Sequence, residues 1–242
     1  MAQYLLVHGA WHGAWCWQRV MAPLVRAGHH AHAVTLTGVG ERAHLLHPGI
    51  DLQTHVNDIL AAMDAEEMQQ TILVVHSYAG MLGTAVADLR PAQLRHLVYL
   101  DATLPNPGES WSSTHTPETR QARIEASGAD PQNCFPAPDP AVFGLSGEDR
   151  AWVMRRQTPH PGGPYTQVLD FDPKRVASVR RTFIACTAPA LPTIAVSRER
   201  ALDHSFWGGA WWPGARVVEM ATGHDPMVSD PQGLVRLLLE LA

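Results

Sequence analysis

The sequence predicts an α/β fold with a mostly parallel sheet, helices on both faces and an inserted cap. Two observations predict this class. Short apolar runs alternate with segments of helical periodicity in the first and last parts of the chain, and this alternation is typical of βαβ units. Between about 103 and 180 it stops, and proline and glycine become dense. We therefore expect one domain, with residues 1–102 and 181–242 as its core and residues 103–180 as a cap.

Each strand is predicted from an apolar run, because strands buried in a parallel sheet are continuously apolar. The predicted strands span residues 4–7, 31–36, 71–75, 97–100, 182–186 and 216–220. Each helix is predicted from apolar residues spaced three or four apart, such as Leu234, Leu237 and Leu238 near the end of the chain. The predicted helices span residues 15–27, 51–63, 78–88 and 231–241, with helical pieces at 117–127 and 147–157 in the cap.

Composition narrows the function classes. The formal net charge is −5 with no basic block, which disfavours nucleic acid and anionic membranes as partners. No apolar run approaches the roughly 18 residues of a membrane span, and no secretory leader is evident, so we expect a cytoplasmic protein. The cysteines Cys16, Cys134 and Cys186 are widely spaced and odd in number. We therefore expect them to be small buried hydrophobes, with no disulfide framework, metal site or cofactor.

A candidate nucleophile follows the third predicted strand, in the segment Val75-His-Ser-Tyr-Ala-Gly80. In a nucleophile elbow, a serine lies on a tight strand-to-helix turn, usually within G-x-S-x-G. Here Val75 and Ala79 replace both glycines. The motif predicts Ser77 as the nucleophile; the alternative is a buried strand end with an incidental serine.

Two further loops fit the same chemistry. His8-Gly-Ala-Trp11 follows the first strand, where an oxyanion hole takes one backbone N–H, the other coming from the residue after the nucleophile. This assigns the two donors to Ala10 and Tyr78. His224 follows the last strand and precedes the terminal helix, where the base of a catalytic triad is expected in chain order.

The sequence around these motifs resembles the group that contains plant methyl esterases and hydroxynitrile lyases, and more closely its bacterial esterase relatives, which include pyrethroid-hydrolase-like enzymes. The segments that carry the likeness are residues 6–17, 26–29, 36–46, 75–80 and 223–227. It covers residues 4–102 and 181–241, whereas the cap matches poorly. The resemblance implies an α/β-hydrolase core that begins at what is usually the third strand. Homodimers are common in this group, but nothing in the sequence identifies an interface.

Two departures from the group bear on function. The lyases have a lysine after the triad histidine and a threonine after the first histidine of the oxyanion loop, whereas this chain has Asp225 and Gly9. The plant members also place the triad acid just after the strand equivalent to residues 182–186, where this chain has no carboxylate. Asp101, at the end of the fourth strand, is the favoured acid, with Asp203 as the alternative; Asp225 is expected to point away from His224.

These residues predict a serine carboxylesterase that hydrolyses a small to medium apolar ester through an acyl-enzyme, without a cofactor. Trp11, Trp111 and Trp152 are expected to contact the substrate, although the aromatic residues of the cap could instead form its own small core. Three alternatives remain: a lactonase or tailoring hydrolase with the same triad, a hydroxynitrile lyase, or a non-catalytic ligand-binding protein on a hydrolase scaffold.

Overall fold

The computed structural model describes all 242 residues and contains a six-stranded, all-parallel sheet. Its strands are β1 (Gln3–Val7), β2 (His30–Val34), β3 (Thr71–His76), β4 (Leu94–Leu100), β5 (Arg180–Cys186) and β6 (Ala215–Met220). They lie in the order β6-β5-β4-β3-β1-β2. The predicted fold class and all six predicted strands are confirmed, with bounds that differ by one to three residues.

Ten helices connect or flank these strands. They are α1 (Gln18–Arg26), α2 (Leu52–Ala65), α3 (Ala79–Leu89), α4 (Pro117–Ala129), α5 (Gly147–Met154), α6 (Gly163–Thr166), α7 (Pro173–Ala177), α8 (Ala195–Leu202), α9 (Pro226–Ser229) and α10 (Pro231–Leu239). All the predicted helices form. The Asp51 side chain accepts a hydrogen bond from the Thr54 N–H and so caps α2. No helix is both long and apolar enough to cross a bilayer.

Helix α8 was not predicted from the sequence. Its only buried residues are Ser197 and Ala201, both small, while three of its eight residues are charged. The helix therefore lacks the large apolar residues on which periodicity depends. It matters because it brings Arg198 to the sheet edge.

Residues 103–179 contain α4 to α7 and two short antiparallel ladders of two residues per strand. One ladder pairs Glu109–Ser110 with Val168–Leu169, and the other pairs Cys134–Phe135 with His160–Pro161. The division of the chain into a core and a cap stays a prediction. All three cysteines are free and buried, as predicted.

The register of the strands gathers their carboxyl ends at one edge. Val7 pairs with Val75 across β1 and β3, and His76 pairs with Leu100 across β3 and β4. The residues that follow these strands are therefore neighbours, although they are distant in sequence. This edge carries the candidate site, as expected for an open parallel sheet.

A glycine one turn into α3 explains how Val75 replaces the usual glycine before the nucleophile. A Cβ atom at Gly83 would lie 2.8 Å from both Cγ atoms of Val75. We expect Gly83→Ala to lower the free energy of unfolding by about 1–3 kcal/mol through overpacking. In a Val75→Ala background the same change should cost less, because only the contact with Leu97 Cδ1 at 3.0 Å remains and alanine is the better helix former. Urea unfolding of the four proteins checks this coupling; equal effects in both backgrounds would contradict it.

Candidate active site

Ser77 lies in the tight turn between β3 and α3. Its backbone is in the left-handed region, with φ of 56°, which is uncommon for a residue other than glycine and marks a strained position. The turn is held by the Ser77 carbonyl, which accepts hydrogen bonds from Thr103 N at 2.9 Å and Gly80 N at 3.1 Å. Gly80 is required there, since a Cβ atom would lie 2.0 Å from the Thr103 carbonyl oxygen. The sequence Val75–Gly80 thus forms the predicted elbow geometry without its two usual glycines.

The loop after β1 lies directly against Ser77. A Cβ atom at Gly9 would lie 2.7 Å from the Ser77 Cβ, so any larger residue would displace the serine. The backbone N–H groups of Ala10 and Tyr78 donate no hydrogen bond to another protein group. Two free donors therefore lie on the two turns that flank Ser77.

His224 joins Ser77 to Asp101 in one hydrogen-bonded line. Its Nε2 lies 2.9 Å from Ser77 Oγ, and its Nδ1 lies 2.7 Å from Asp101 Oδ2. The backbone of His224 is also fixed, because its N–H donates to the Phe143 carbonyl and its own carbonyl accepts from His76 Nε2. The imidazole is therefore held in one orientation at the sheet edge.

Asp101 is fully buried, and three groups donate hydrogen bonds to it in addition to His224. Arg198 Nε and the Cys186 N–H both reach Oδ1, at 3.0 and 3.2 Å, and Arg198 Nη2 reaches Oδ2 at 3.2 Å. Burial alone would raise the pKa of Asp101, but the hydrogen bonds and charges of His224 and Arg198 hold its pKa below the usual value. Sequence reasoning missed Arg198, since α8 gave no periodic signal.

The alternative acid, Asp203, does not reach this line. It is exposed, and its carboxylate accepts hydrogen bonds from the backbone and side chain of Ser205 in a local turn. The structure therefore places Asp101, and not Asp203, beside His224.

Asp225 is buried and pairs with His12 instead of His224. His12 Nε2 lies 3.2 Å from Asp225 Oδ2, and His12 Nδ1 lies 2.8 Å from the Ala10 carbonyl oxygen. Because both partners only accept hydrogen bonds, both ring nitrogens of His12 carry protons. Burial lowers the pKa of His12, but the Asp225 carboxylate and the Ala10 carbonyl together raise it by more, so the net shift is upward. This ion pair ties the loop of Ala10 to the loop of His224, and no sequence signal links residues so far apart.

Two other histidines beneath the site are buried and neutral. His8 Nδ1 donates to the Gly9 carbonyl and its Nε2 accepts from the Leu36 N–H. His76 donates through Nε2, while its Nδ1 has no partner. Burial lowers the pKa of each to about 3. Both rings are therefore uncharged near neutral pH.

These neutral histidines predict acid sensitivity. In the unfolded chain their pKa is near 6.5, so between pH 6.5 and 3 the unfolded state binds more protons than the folded state. The stability they contribute is complete above pH 6.5 and is lost as the pH falls towards 3. We expect the free energy of unfolding in urea to fall between pH 6.5 and 4.5 with a slope of at least two protons, because His115 and His160 also have lowered pKa values and add to it. His76→Asn should lose about one proton of that slope. A flat profile over this range would show that these rings are not kept neutral.

A cavity of about 170 Å³ opens onto Ser77 and His224. Its lining comprises Trp11, Ser77, Trp111, His115, Arg123, Pro138, Val142, Phe143, Leu191, Thr193, Ile194 and His224. Two of the three predicted substrate contacts, Trp11 and Trp111, are among these residues. His115 and Arg123 are polar residues that sequence reasoning did not place here.

The structure does not place the third predicted substrate contact, Trp152, at the cavity. The Trp152 ring packs edge-on against Trp15 at 5.1 Å. The guanidinium groups of Arg19 and Arg156 lie 4.9 and 4.7 Å from its centroid. Helix α5 directs the Trp152 side chain towards Trp15, Arg19 and Arg156. There it forms cation–π contacts with the two arginines instead of contacting a substrate.

Comparison with known proteins yields matches along the whole chain. The sequence model of the alpha/beta hydrolase family matches residues 4–237. A carbendazim hydrolyzing esterase from a Nocardioides species is 37% identical over 251 residues, covering 100% of both chains. Methylesterase 7 of Arabidopsis thaliana is 27% identical, covering 99% of this chain and 96% of its own. The solved structure of an extracellular alpha/beta-hydrolase from a Paenibacillus species superposes with a TM-score of 0.82 at 18% identity, covering 100% of this chain and 99% of that one. The predicted resemblance to methyl esterases and bacterial esterases is confirmed.

Proposed function

Because the chain belongs to the alpha/beta hydrolase family and is an ester hydrolase, we propose that it is a serine carboxylesterase that works through an acyl-enzyme. The observation that carries this proposal is the hydrogen-bonded line from Ser77 through His224 to Asp101. An activated serine requires a base within hydrogen-bond reach and a third group that orients the base. The distances of 2.9 and 2.7 Å meet both requirements.

The hydrogen bonds among Ser77, His224 and Asp101 assign each residue a role in ester hydrolysis. His224 Nε2 takes the proton of Ser77 as Oγ attacks the ester carbonyl carbon, and the charge on the carbonyl oxygen grows. The free N–H groups of Ala10 and Tyr78 donate to that oxygen, while the carboxylate of Asp101 stabilises the imidazolium. The imidazolium then protonates the departing alcohol. Water, deprotonated by His224, hydrolyses the acyl-enzyme and restores Ser77.

The size of the cavity supports a small or medium ester as the substrate. Most of its wall is apolar, with Trp11, Trp111, Val142 and Ile194 among the contributors. A volume of about 170 Å³ holds the body of a short acyl or alcohol group, and burial of that group supplies binding energy at about 25 cal/mol per Å² of apolar surface. Carbendazim, on which the Nocardioides relative acts, belongs in the first substrate panel.

The test combines turnover with covalent labelling. The wild-type protein should hydrolyse 4-nitrophenyl acetate and butyrate, and a fluorophosphonate should add one adduct that peptide mass spectrometry locates on Ser77. Carbendazim, followed by chromatography, extends the assay beyond activated esters. Absence of both turnover and labelling, or an adduct on another residue, would refute the proposed mechanism.

A further inference from the structure

A cation from the cap faces the cavity that holds Ser77. Arg123 lies on α4 and is part of the cavity lining. Its guanidinium carbon lies between 5.1 and 5.8 Å from the centroids of four aromatic rings, within the range of cation–π contact. These rings belong to Trp11, Trp111, Phe135 and Tyr165. Ring faces on several sides therefore fix the position of the charge.

This guanidinium has no counter-ion in the protein. Arg123 forms no salt bridge, and its close side-chain partners are uncharged: His115 Nδ1 lies 3.4 Å from Nη1, and the Tyr165 side chain also hydrogen-bonds to Arg123. Two other arginines near this edge of the sheet are neutralised by contrast: Arg198 binds Asp101 and Arg200 binds Glu109. Partial burial lowers the pKa of Arg123, but a guanidinium remains charged at any physiological pH. Most of its five N–H donors are thus unused.

The groups around Arg123 add no negative charge. His115 is neutral, because burial and the charge of Arg123 lower its pKa to about 3. Its Nδ1 lies 2.8 Å from the hydroxyl of Tyr165, whose pKa is raised by burial. Asp101 is engaged with His224 and Arg198 and does not line the cavity. The cavity therefore offers one positive charge among apolar walls.

Resting on the proposed esterase function, we propose that Arg123 is a specificity residue that binds a carboxylate on the substrate, so that the preferred substrate is an ester that also carries a carboxylate group. A guanidinium matches a carboxylate with two parallel N–H···O bonds, and such bonds are strongest where water is excluded. The apolar walls then hold the carbon chain between the carboxylate and the scissile ester. The substrate class becomes narrower than the simple apolar ester predicted from the sequence.

The test uses two esters of nearly equal shape: mono(4-nitrophenyl) glutarate, which carries a carboxylate, and 4-nitrophenyl 5-methylhexanoate, which does not. Arg123→Met keeps an unbranched apolar stem and removes the charge. We expect it to lower kcat/KM for the glutarate ester about 10- to 100-fold, chiefly through KM, as loss of a charged hydrogen bond implies. The neutral ester should change by less than about threefold, and Arg123→Lys should be intermediate because it keeps the charge without the planar fork.

A second measurement does not depend on turnover of either ester. Free glutarate should slow fluorophosphonate labelling of Ser77 in the wild-type protein and in Arg123→Lys, but not in Arg123→Met. If both esters lose activity equally in Arg123→Met, or if neither changes, the residue only packs the aromatic cluster and the proposal is wrong. Absence of fluorophosphonate labelling in the wild type would instead refute the esterase function itself, which distinguishes the two failures.

Discussion

Replacing Ser77 by alanine is expected to lower kcat for 4-nitrophenyl butyrate about 10⁶-fold. The substitution removes the only oxygen that lies within hydrogen-bond reach of His224 Nε2, at 2.9 Å. Residues of a triad act as a unit, so loss of the nucleophile alone costs nearly as much as loss of all three. The measurement is initial-rate kinetics, with active-site titration of the wild type and circular dichroism of the variant, so that both rates refer to folded protein.

A matched control separates this effect from any general loss of serine. Ser178 lies at the end of α7, where its hydroxyl donates to the Arg175 carbonyl, away from the cavity. Ser178→Ala should keep kcat within about twofold, since isolated surface changes rarely exceed ±0.5 kcal/mol. Undiminished turnover in Ser77→Ala would show that Ser77 is not the nucleophile and that another group carries out the reaction.

The sheet edge could be read from the sequence because its residues follow apolar runs. Ser77 and Asp101 each come directly after a strand, and parallel strands deliver their carboxyl ends to one edge. The same reasoning placed His224 on the loop after the last strand. It left Asp101 and Asp203 both open, because a sequence does not show which of two loops turns inwards. The local turn in which the Asp203 carboxylate accepts a hydrogen bond from Ser205 is visible only in the structure.

The polar neighbours of this line could not be read in the same way. Arg198 reaches Asp101 from a helix whose buried residues are small, so the sequence has no apolar periodicity that predicts this helix. His12 and Asp225 are 213 positions apart, and their pairing depends on how two loops fold together. Arg123 lies on α4, a largely exposed helix, where an arginine ordinarily indicates a solvated face. The positions of Ser77, Asp101 and His224 therefore followed from the strand order, whereas the charges around them followed from tertiary packing.

Asp101→Asn is expected to lower kcat about 10⁴-fold, the effect of presenting the base in the wrong tautomer. Arg198 Nε and the Cys186 N–H both donate to Oδ1 of Asp101, so the oxygen of an asparagine would occupy that position. Its NH₂ group would then face His224 Nδ1, which would have to accept and leave the proton on Nε2. A protonated Nε2 cannot take the proton of Ser77.

Asp203 provides the matched control for this substitution. Asp203→Asn should keep kcat within about twofold, because its carboxylate contacts only the Ser205 turn. Asp101→Asn also leaves Arg198 with a weaker partner, so its free energy of unfolding should be measured in urea and the rates compared where both proteins are folded. Fluorophosphonate labelling of Ser77 should slow in parallel with kcat, since both need the same base. If Asp101→Asn is labelled and turns over substrate within a few fold of the wild type, His224 is oriented without Asp101. A proton held on Nε2 would prevent both reactions.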